Sequence, residues 1–560
     1  MPGQLLKTLE SAEAYGTRWK DWRRAVVRKY REMFFAALCA GFAAYGFIML
    51  NVLNNQDNIS NTPGGYGAGT SSGRWFLETL AEFMRNVWGT NTLPLFNGLL
   101  SIALVALSAC LTVSVLEIRG RSFMILTGVL FVTFPSFAMT MLFMFTVGYY
   151  AFSLLLTLIG VYAAKNISGV WGVLAGGACC ALSLGIYQAY LPVAAALFLM
   201  ILIRRGLSAK PPSTLQFVME GLRFLAVLIL GLALYLAVLR LLLQTGGESL
   251  NSYQQIDRMG SVQLNELPEM IALSFEKFFA LPVSREYAIN DMPVMRLTFL
   301  YSMILSVALF AWLEWRKGAE IGVKLLNALC LLLFPVGAFS IILMCYHSSI
   351  FGRMVYGAVT VFFLPMILLE LLQTDAASPN GASAKAVSRT ASANEIAWRM
   401  LRNGAAAVLS GLLLLTSIGY IWESNENYMV LYHTNRQTEN YAVSMLTRIR
   451  MAPGYRQDLK LAFLGDDITD TTFSNEIYRR SAYHYGGYTD DSNYKKALKS
   501  YLWNYLGYHQ AEASAGEIDE LAATETARNM PSYPDDGSIR VIGDYIVVKL
   551  ENVDEASLAP

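Results

Sequence analysis

Apolar residues run for roughly 20 positions at a time through the first 423 residues, the length an α-helix needs to cross a hydrocarbon core. The pattern predicts eleven spans, at 33–53, 93–116, 122–138, 142–164, 168–187, 190–203, 216–243, 298–314, 322–345, 354–373 and 401–422. Only Pro135 and Ser136 divide the long uncharged run 122–164 into two. Beyond residue 423 the periodicity changes. A helical stretch at 434–450 precedes the strand-like KLAFLG, aromatic helical segments follow at 473–508, and SIRVIGDYIVVKL reads as a hairpin about Gly543 and Asp544. The expected architecture is therefore an α-helical polytopic membrane domain, 1–423, followed by a small α/β domain, 424–560.

Composition agrees with that division. Apolar residues make up 54% of the 560 and charged residues 15%, against about 25% charged in an average soluble protein. Lys and Arg number 43 against 42 Asp and Glu, so no overall basic balance suggests a nucleic-acid partner. The last 137 residues carry 13 basic and 20 acidic groups, leaving 30 and 22 for the membrane part. The six cysteines (Cys39, Cys110, Cys179, Cys180, Cys330, Cys345) lie in apolar stretches without CxxC spacing, as packing residues do.

Charge also predicts orientation. RWKDWRRAVVRKYRE before the first span is too basic for a cleaved signal and has no small-residue cleavage site. With the amino terminus in the cytoplasm, about 21 Lys and Arg fall inside and about eight in the outer loops, as the positive-inside rule demands. Loops 54–92 and 244–297, the short turns near 188 and 347, and the C-terminal domain are then extracytoplasmic. The Ala/Ser/Gly/Pro-rich segment 374–400 is a cytoplasmic linker that cannot bury a core.

Candidate chemistry gathers on the outer side. Asp57 stands a few residues past the first span among Asn54, Asn55, Gln56 and Asn58, amides suited to hydrogen-bonding a polyol. A glycine-rich run follows, then Gly73-Arg74-Trp75; no GK[ST] completes a phosphate-binding loop. SLGIYQAYLP supplies Tyr187, Gln188 and Tyr190 at the next outer turn, and MCYHSSIFGRMVYG supplies His347 and Arg353. Tyrosines in such places are more often interfacial belt residues than ligand platforms. Arg240, near the outer end of the seventh span, is a functional candidate by location, with snorkelling to headgroups as the plainer reading. GDDITD (Asp466, Asp467, Asp470) follows a strand and reads as a turn. His433, His484 and His509 have no metal-site spacing.

NNQDNI with the glycine run and SGRW, then SLGIYQAYLP and YHSSIFGRMVYG, resemble bacterial Gtr-type glucosyltransferases, which modify surface polysaccharides such as O-antigen. The resemblance implies a GT-C fold and an active site on the outer face. It also implies a polyprenyl-phosphate sugar donor, a surface polysaccharide acceptor and an essential acid in the first outer loop, matched here by Asp57. On that reading Asp57 is the general base, and Arg74, Arg353, Arg240 and His347 balance the donor phosphate. Asn55, Tyr187, Gln188 and Tyr190 contact sugar, and neither cofactor nor metal is needed. A lipid-linked-sugar flippase predicts midplane charges and repeat symmetry, neither of which is visible. A polysaccharide polymerase or ligase shares the outer arginines.

Overall fold

The computed structural model describes residues 28–247, 249–251, 265–287, 289–346, 349–376, 393–465 and 494–550. Helix α1 (Arg28–Asn51) leads to a short α2 (Gln56–Asn61) and an amphipathic α3 (Trp75–Trp88). There follow α4 (Pro94–Leu116), α5 (Arg121–Thr133), α6 (Pro135–Thr140), α7 (Val147–Asn166), α8 (Gly169–Ile186), α9 (Leu191–Gly206) and α10 (Thr214–Gly246). Next are α11 (Leu267–Ala280), α12 (Pro293–Arg316), α13 (Ile321–Ala338), α14 (Ile341–Met344), α15 (Phe363–Ala376) and α16 (Ala393–Met451). The C-terminal part adds β1 (Lys460–Leu464), α17 (Tyr494–Asn504), α18 (Ala515–Ala522), α19 (Glu525–Arg528), β2 (Ile539–Ile542) and β3 (Tyr545–Lys549).

Local chemistry sets many of these boundaries. Proline at the first turn opens α4, α6 and α12, where a missing N–H costs nothing. Ser213 and Gln216 form a capping box on α10. Pro135, read from sequence as a divider between two spans, instead breaks one span into α5 and α6; the next span starts at Val147.

Ten helices among the described residues are long and apolar enough to cross a membrane. The eleventh predicted span, 354–373, is the shorter Tyr356–Leu372, which begins as a 3-10 turn. Nearly all of it is buried among other helices, so it need not match the bilayer by itself. The protein is thus a polytopic helical membrane protein with a small C-terminal sheet region.

Contacts sort the helix ends onto two faces. On one, Glu32 pairs with Arg121, Glu117 with Lys165 and Arg204, and Glu370 accepts from the amides of Arg119 and Gly120 at 2.7 to 3.0 Å. On the other, the first loop meets residues 142–144, 150, 188 and 251 and the C-terminal region. We term the latter the loop face.

Helix α16 differs from the expected layout. It runs unbroken for 59 residues, about 90 Å at 1.5 Å per residue, so the boundary drawn at 423 falls inside one rod. It also begins at Ala393, which makes the end of the 374–400 linker helical; residues 377–392 lie outside the described residues. Its far end packs Tyr441, Met445 and Ile449 against a three-stranded sheet of order β1-β3-β2, parallel between β1 and β3 and antiparallel in the predicted hairpin β2-β3. Lys549 is buried beneath α19, where its ammonium donates to the carbonyls of Ala527, Arg528 and Met530.

Glu370, only 5% exposed, is the bracket that holds the turn between α4 and α5 against α15. Glu370→Ala leaves two amides without their acceptor and is expected to lower stability by about 1–3 kcal/mol. Thermal unfolding of the purified protein in detergent measures it.

Candidate functional site

The site begins where α1 ends. Asn55 caps α2 by accepting from the Asn58 amide at 2.8 Å, so this side chain is engaged in holding the helix. Asp57 falls in the first turn of α2 and is exposed; an acid is favoured there by the helix dipole. Asn58 is buried, donating to the Leu142 carbonyl and accepting from the Met144 amide at 3.0 Å. Asn61 donates to the Asp57 carbonyl and accepts from Gly67 N, both at 2.8 Å, which ties the helix to the glycine-rich loop.

Glu78, on α3, then gathers that loop. Its carboxylate accepts from Tyr66 Oη and Thr70 N at 2.7 Å each and from Thr70 Oγ1. A Cβ on Gly69 would lie 2.6 Å from Glu78 Oε2, so only glycine lets the carboxylate seat. Gly73 takes a left-handed φ of 75° and turns the chain into Arg74, whose amide bonds Gly69 O at 3.0 Å. Partial burial opposes ionisation of Glu78, but hydrogen bonds from the Thr70 hydroxyl, Tyr66 and the Thr70 amide outweigh it and hold the carboxyl below its ordinary value.

Arg74 is thereby aimed at a tyrosine pair. Its Nη1 donates to Tyr150 Oη at 2.8 Å, and its guanidinium lies 5.7 Å from the ring centres of both Tyr150 and Tyr187. Those rings stack at 4.2 Å and 10°. Tyr187 Oη donates to the Arg353 carbonyl at 3.4 Å, and the Arg353 guanidinium sits 4.9 Å from the rings of Phe143 and Phe351. Among the described residues neither Arg74 nor Arg353 forms an ion pair, so two cations meet at one membrane face without a carboxylate partner.

The segment 142–144 links this cluster to the acid. Asn58 clamps Leu142 and Met144, and Phe143 between them supports Arg353.

The other expected residues fare differently. Tyr190 is buried edge-on between Tyr187 and Tyr356, and Gln188, also buried, donates to Gly73 O and to Tyr235 Oη at 3.3 and 3.2 Å. Both hold the site from behind. Arg240 is exposed on α10 off the face that buries Tyr235 and Leu239, and does not join the cluster. His347, Asp466, Asp467, Asp470 and His484 lie outside the described residues. Among the described residues no group of three or more His, Cys, Asp or Glu is placed to hold a metal. All six cysteines are free thiols.

Sequence reasoning passed over Tyr150, Phe143 and Glu78. Tyr150 had a signal in TVGYYAF, where a polar ring opens an apolar span; Glu78 had one in its place one turn after Arg74.

The fold and this site define a polytopic membrane protein that places two arginines, backed by a buried tyrosine stack, and the exposed Asp57 at one face. The chain belongs to the family described as Glucosyl transferase GtrII, whose family model matches residues 46–362. It is therefore a glucosyltransferase. The matched region holds Asp57, Arg74, Tyr187 and Arg353 and ends before α15. No curated protein and no solved structure matches the chain.

Because Glu78 is depressed below 4.5, its loop-gathering bonds persist at neutral pH and down past that value, and are lost only as pH falls through the lower folded value. Glu78→Ala is expected to speed amide exchange across residues 66–73 by at least about tenfold at pH 7. Hydrogen exchange read by mass spectrometry tests this, with the wild type loosening there only in more acidic buffer.

Proposed function

We propose that this glucosyltransferase has a GT-C fold and moves a glucosyl group from a polyprenyl-phosphate donor to a surface polysaccharide on the outer face of the cytoplasmic membrane. The reading is supported above all by Arg74 and Arg353, which among the described residues have no carboxylate partner and favour a phosphate beside the stacked Tyr150 and Tyr187 at the membrane boundary. Orientation follows from charge, since the amino-terminal segment and the turns opposite the loop face carry about 21 of the 30 Lys and Arg of the membrane part. Outside the cell no nucleotide-sugar pool exists, so the sugar must come on a lipid. A multi-span domain gives that lipid a groove.

The proposed reaction is a single inverting displacement. The acceptor hydroxyl oxygen attacks the anomeric carbon while Asp57 takes its proton. The new carbon–oxygen bond forms as the bond from that carbon to the phosphate oxygen breaks, and the electron pair leaves on the polyprenyl phosphate. That group is a weak base and needs no general acid. Arg74 and Arg353 meet its growing charge with fixed guanidinium groups at no reorganisation cost. Tyr187, buried and stacked on Tyr150, backs the Arg74 guanidinium, and the C-terminal domain takes part in acceptor recognition. The scheme requires no metal or cofactor: one carboxylate is a poor cage for Mg²⁺ or Mn²⁺.

Purified protein with synthetic polyprenyl-phosphate glucose and a candidate acceptor glycan tests the reading. Asp57→Asn is expected to lower turnover by about 10²- to 10⁴-fold with unchanged thermal unfolding. Full activity in that variant removes Asp57 from the chemistry, and lipid movement without transfer favours a flippase. Arg353→Ala is expected to lower kcat by about 10²-fold or more, measured in the same assay.

A further inference from the structure

Helix α2 is six residues long and carries three consecutive side chains with three different destinations. Successive residues of an α-helix are turned by 100°, so Asp57, Asn58 and Ile59 point three ways. Asn58 goes down into the membrane domain at Leu142 and Met144. Ile59, fully buried, belongs to the hydrophobic core of the C-terminal domain together with Met445, Phe463, Leu498 and Leu502. Asp57 is what remains exposed.

The C-terminal domain also grips both ends of α2 by polar bonds. Before it, Asn54 N donates to Asn435 Oδ1 at 2.9 Å, Asn435 Nδ2 returns a bond to Asn54 O at 2.8 Å, and Tyr505 Oη donates to Asn54 Oδ1 at 3.0 Å. Within and after it, Asn504 Nδ2 reaches Ile59 O at 2.9 Å, and Thr62 Oγ1 stands 3.4 Å from Tyr505 Oη. The Tyr505 ring is itself fixed by stacking on Tyr501 at 5.1 Å and 7°. Asn54 is 7% exposed, so these bonds operate where water competes poorly.

We infer that Tyr505 and Asn435 are positioning residues for Asp57, so that the C-terminal domain, which the family match does not cover, sets the place of the acid in the membrane site. The inference rests on the reading of Asp57 as the proton acceptor. It gives the C-terminal domain a role in turnover in addition to holding an acceptor. A misplacement on the order of 1 Å in a reacting group costs up to about 10²-fold in rate. Loss of either grip shifts α2 without touching donor binding at Arg74 and Arg353.

The experiment uses the full chain in the transfer assay. Tyr505→Phe removes the hydroxyl and keeps the stacked ring; Asn435→Leu removes the paired amide at similar volume. Each is expected to lower kcat by roughly tenfold to a hundredfold. The donor KM should stay within about twofold, with thermal unfolding near wild type for Tyr505→Phe and lowered, but still above the assay temperature, for Asn435→Leu, which leaves the Asn54 amide without its acceptor. In an Asp57→Glu background, which keeps a carboxylate at a displaced point, Tyr505→Phe should cost much less than its full factor, because the two changes act through one group. Unchanged kcat in both single variants overturns the inference while leaving the role of Asp57 intact. A Tyr505→Phe loss that multiplies in full on Asp57→Glu also overturns it, since Tyr505 then acts independently. Full activity of Asp57→Asn overturns the reading of the acid and this inference with it.

Discussion

Two guanidinium groups at the loop face, with no carboxylate among the described residues to neutralise either, set the terms there. Arg74 and Arg353 are held by ring faces and by the backbone around them. Aromatic quadrupoles stabilise a cation by about 0.5–2 kcal/mol each and leave its charge available to an incoming anion. A carboxylate partner would have stabilised the empty protein and closed the site. The acids nearest in sequence are occupied or exposed: Glu78 binds the loop, and Asp57 stands on a separate helix.

The architecture around the pair follows from the need to satisfy backbone groups where the chain leaves the bilayer. Asparagine does much of this work. Asn58, Asn61, Asn91 and Asn97 each bond main-chain atoms of neighbouring segments, and Asn91 also accepts from Tyr149 Oη at 2.7 Å. An amide offers donor and acceptor together without adding charge, so it closes irregular turns beside two arginines without attracting either of them. The opposite face uses carboxylates instead, with Glu117 between Lys165 and Arg204 and Glu370 on two amides.

The spans were legible because bilayer thickness imposes a length on apolar runs that needs no tertiary knowledge. The hairpin about Gly543 was legible from alternation, and β1 from the apolar run Leu461–Leu464 closed by Gly465. What stayed hidden is pairing at a distance. Tyr150 reads as an interfacial ring until Arg74 is known to face it. Tyr187, Gln188 and Tyr190 share one motif and all three are buried, yet only the Tyr187 ring lies beside Arg74, while Gln188 turns to Tyr235 and Tyr190 to Tyr356. The continuity of α16 past 423 was hidden for a related reason: polar residues that follow the last span look like the end of a helix, whereas Asn425, Asn427 and Ser424 bond within α16 or to α1 and let it continue.

The seating of Ile59 in the C-terminal core has a temporal side. Asn54 and Tyr505 are 451 residues apart in the chain. At a synthesis rate of about 5–20 residues per second, α2 waits roughly 20–90 s on the ribosome for the segment that completes its surroundings. The nascent protein is thus threaded and anchored well before its acid is seated. A chain cut short between residues 452 and 504 would keep every long apolar helix found among the described residues and lack both Tyr505 and the sheet that surrounds Ile59.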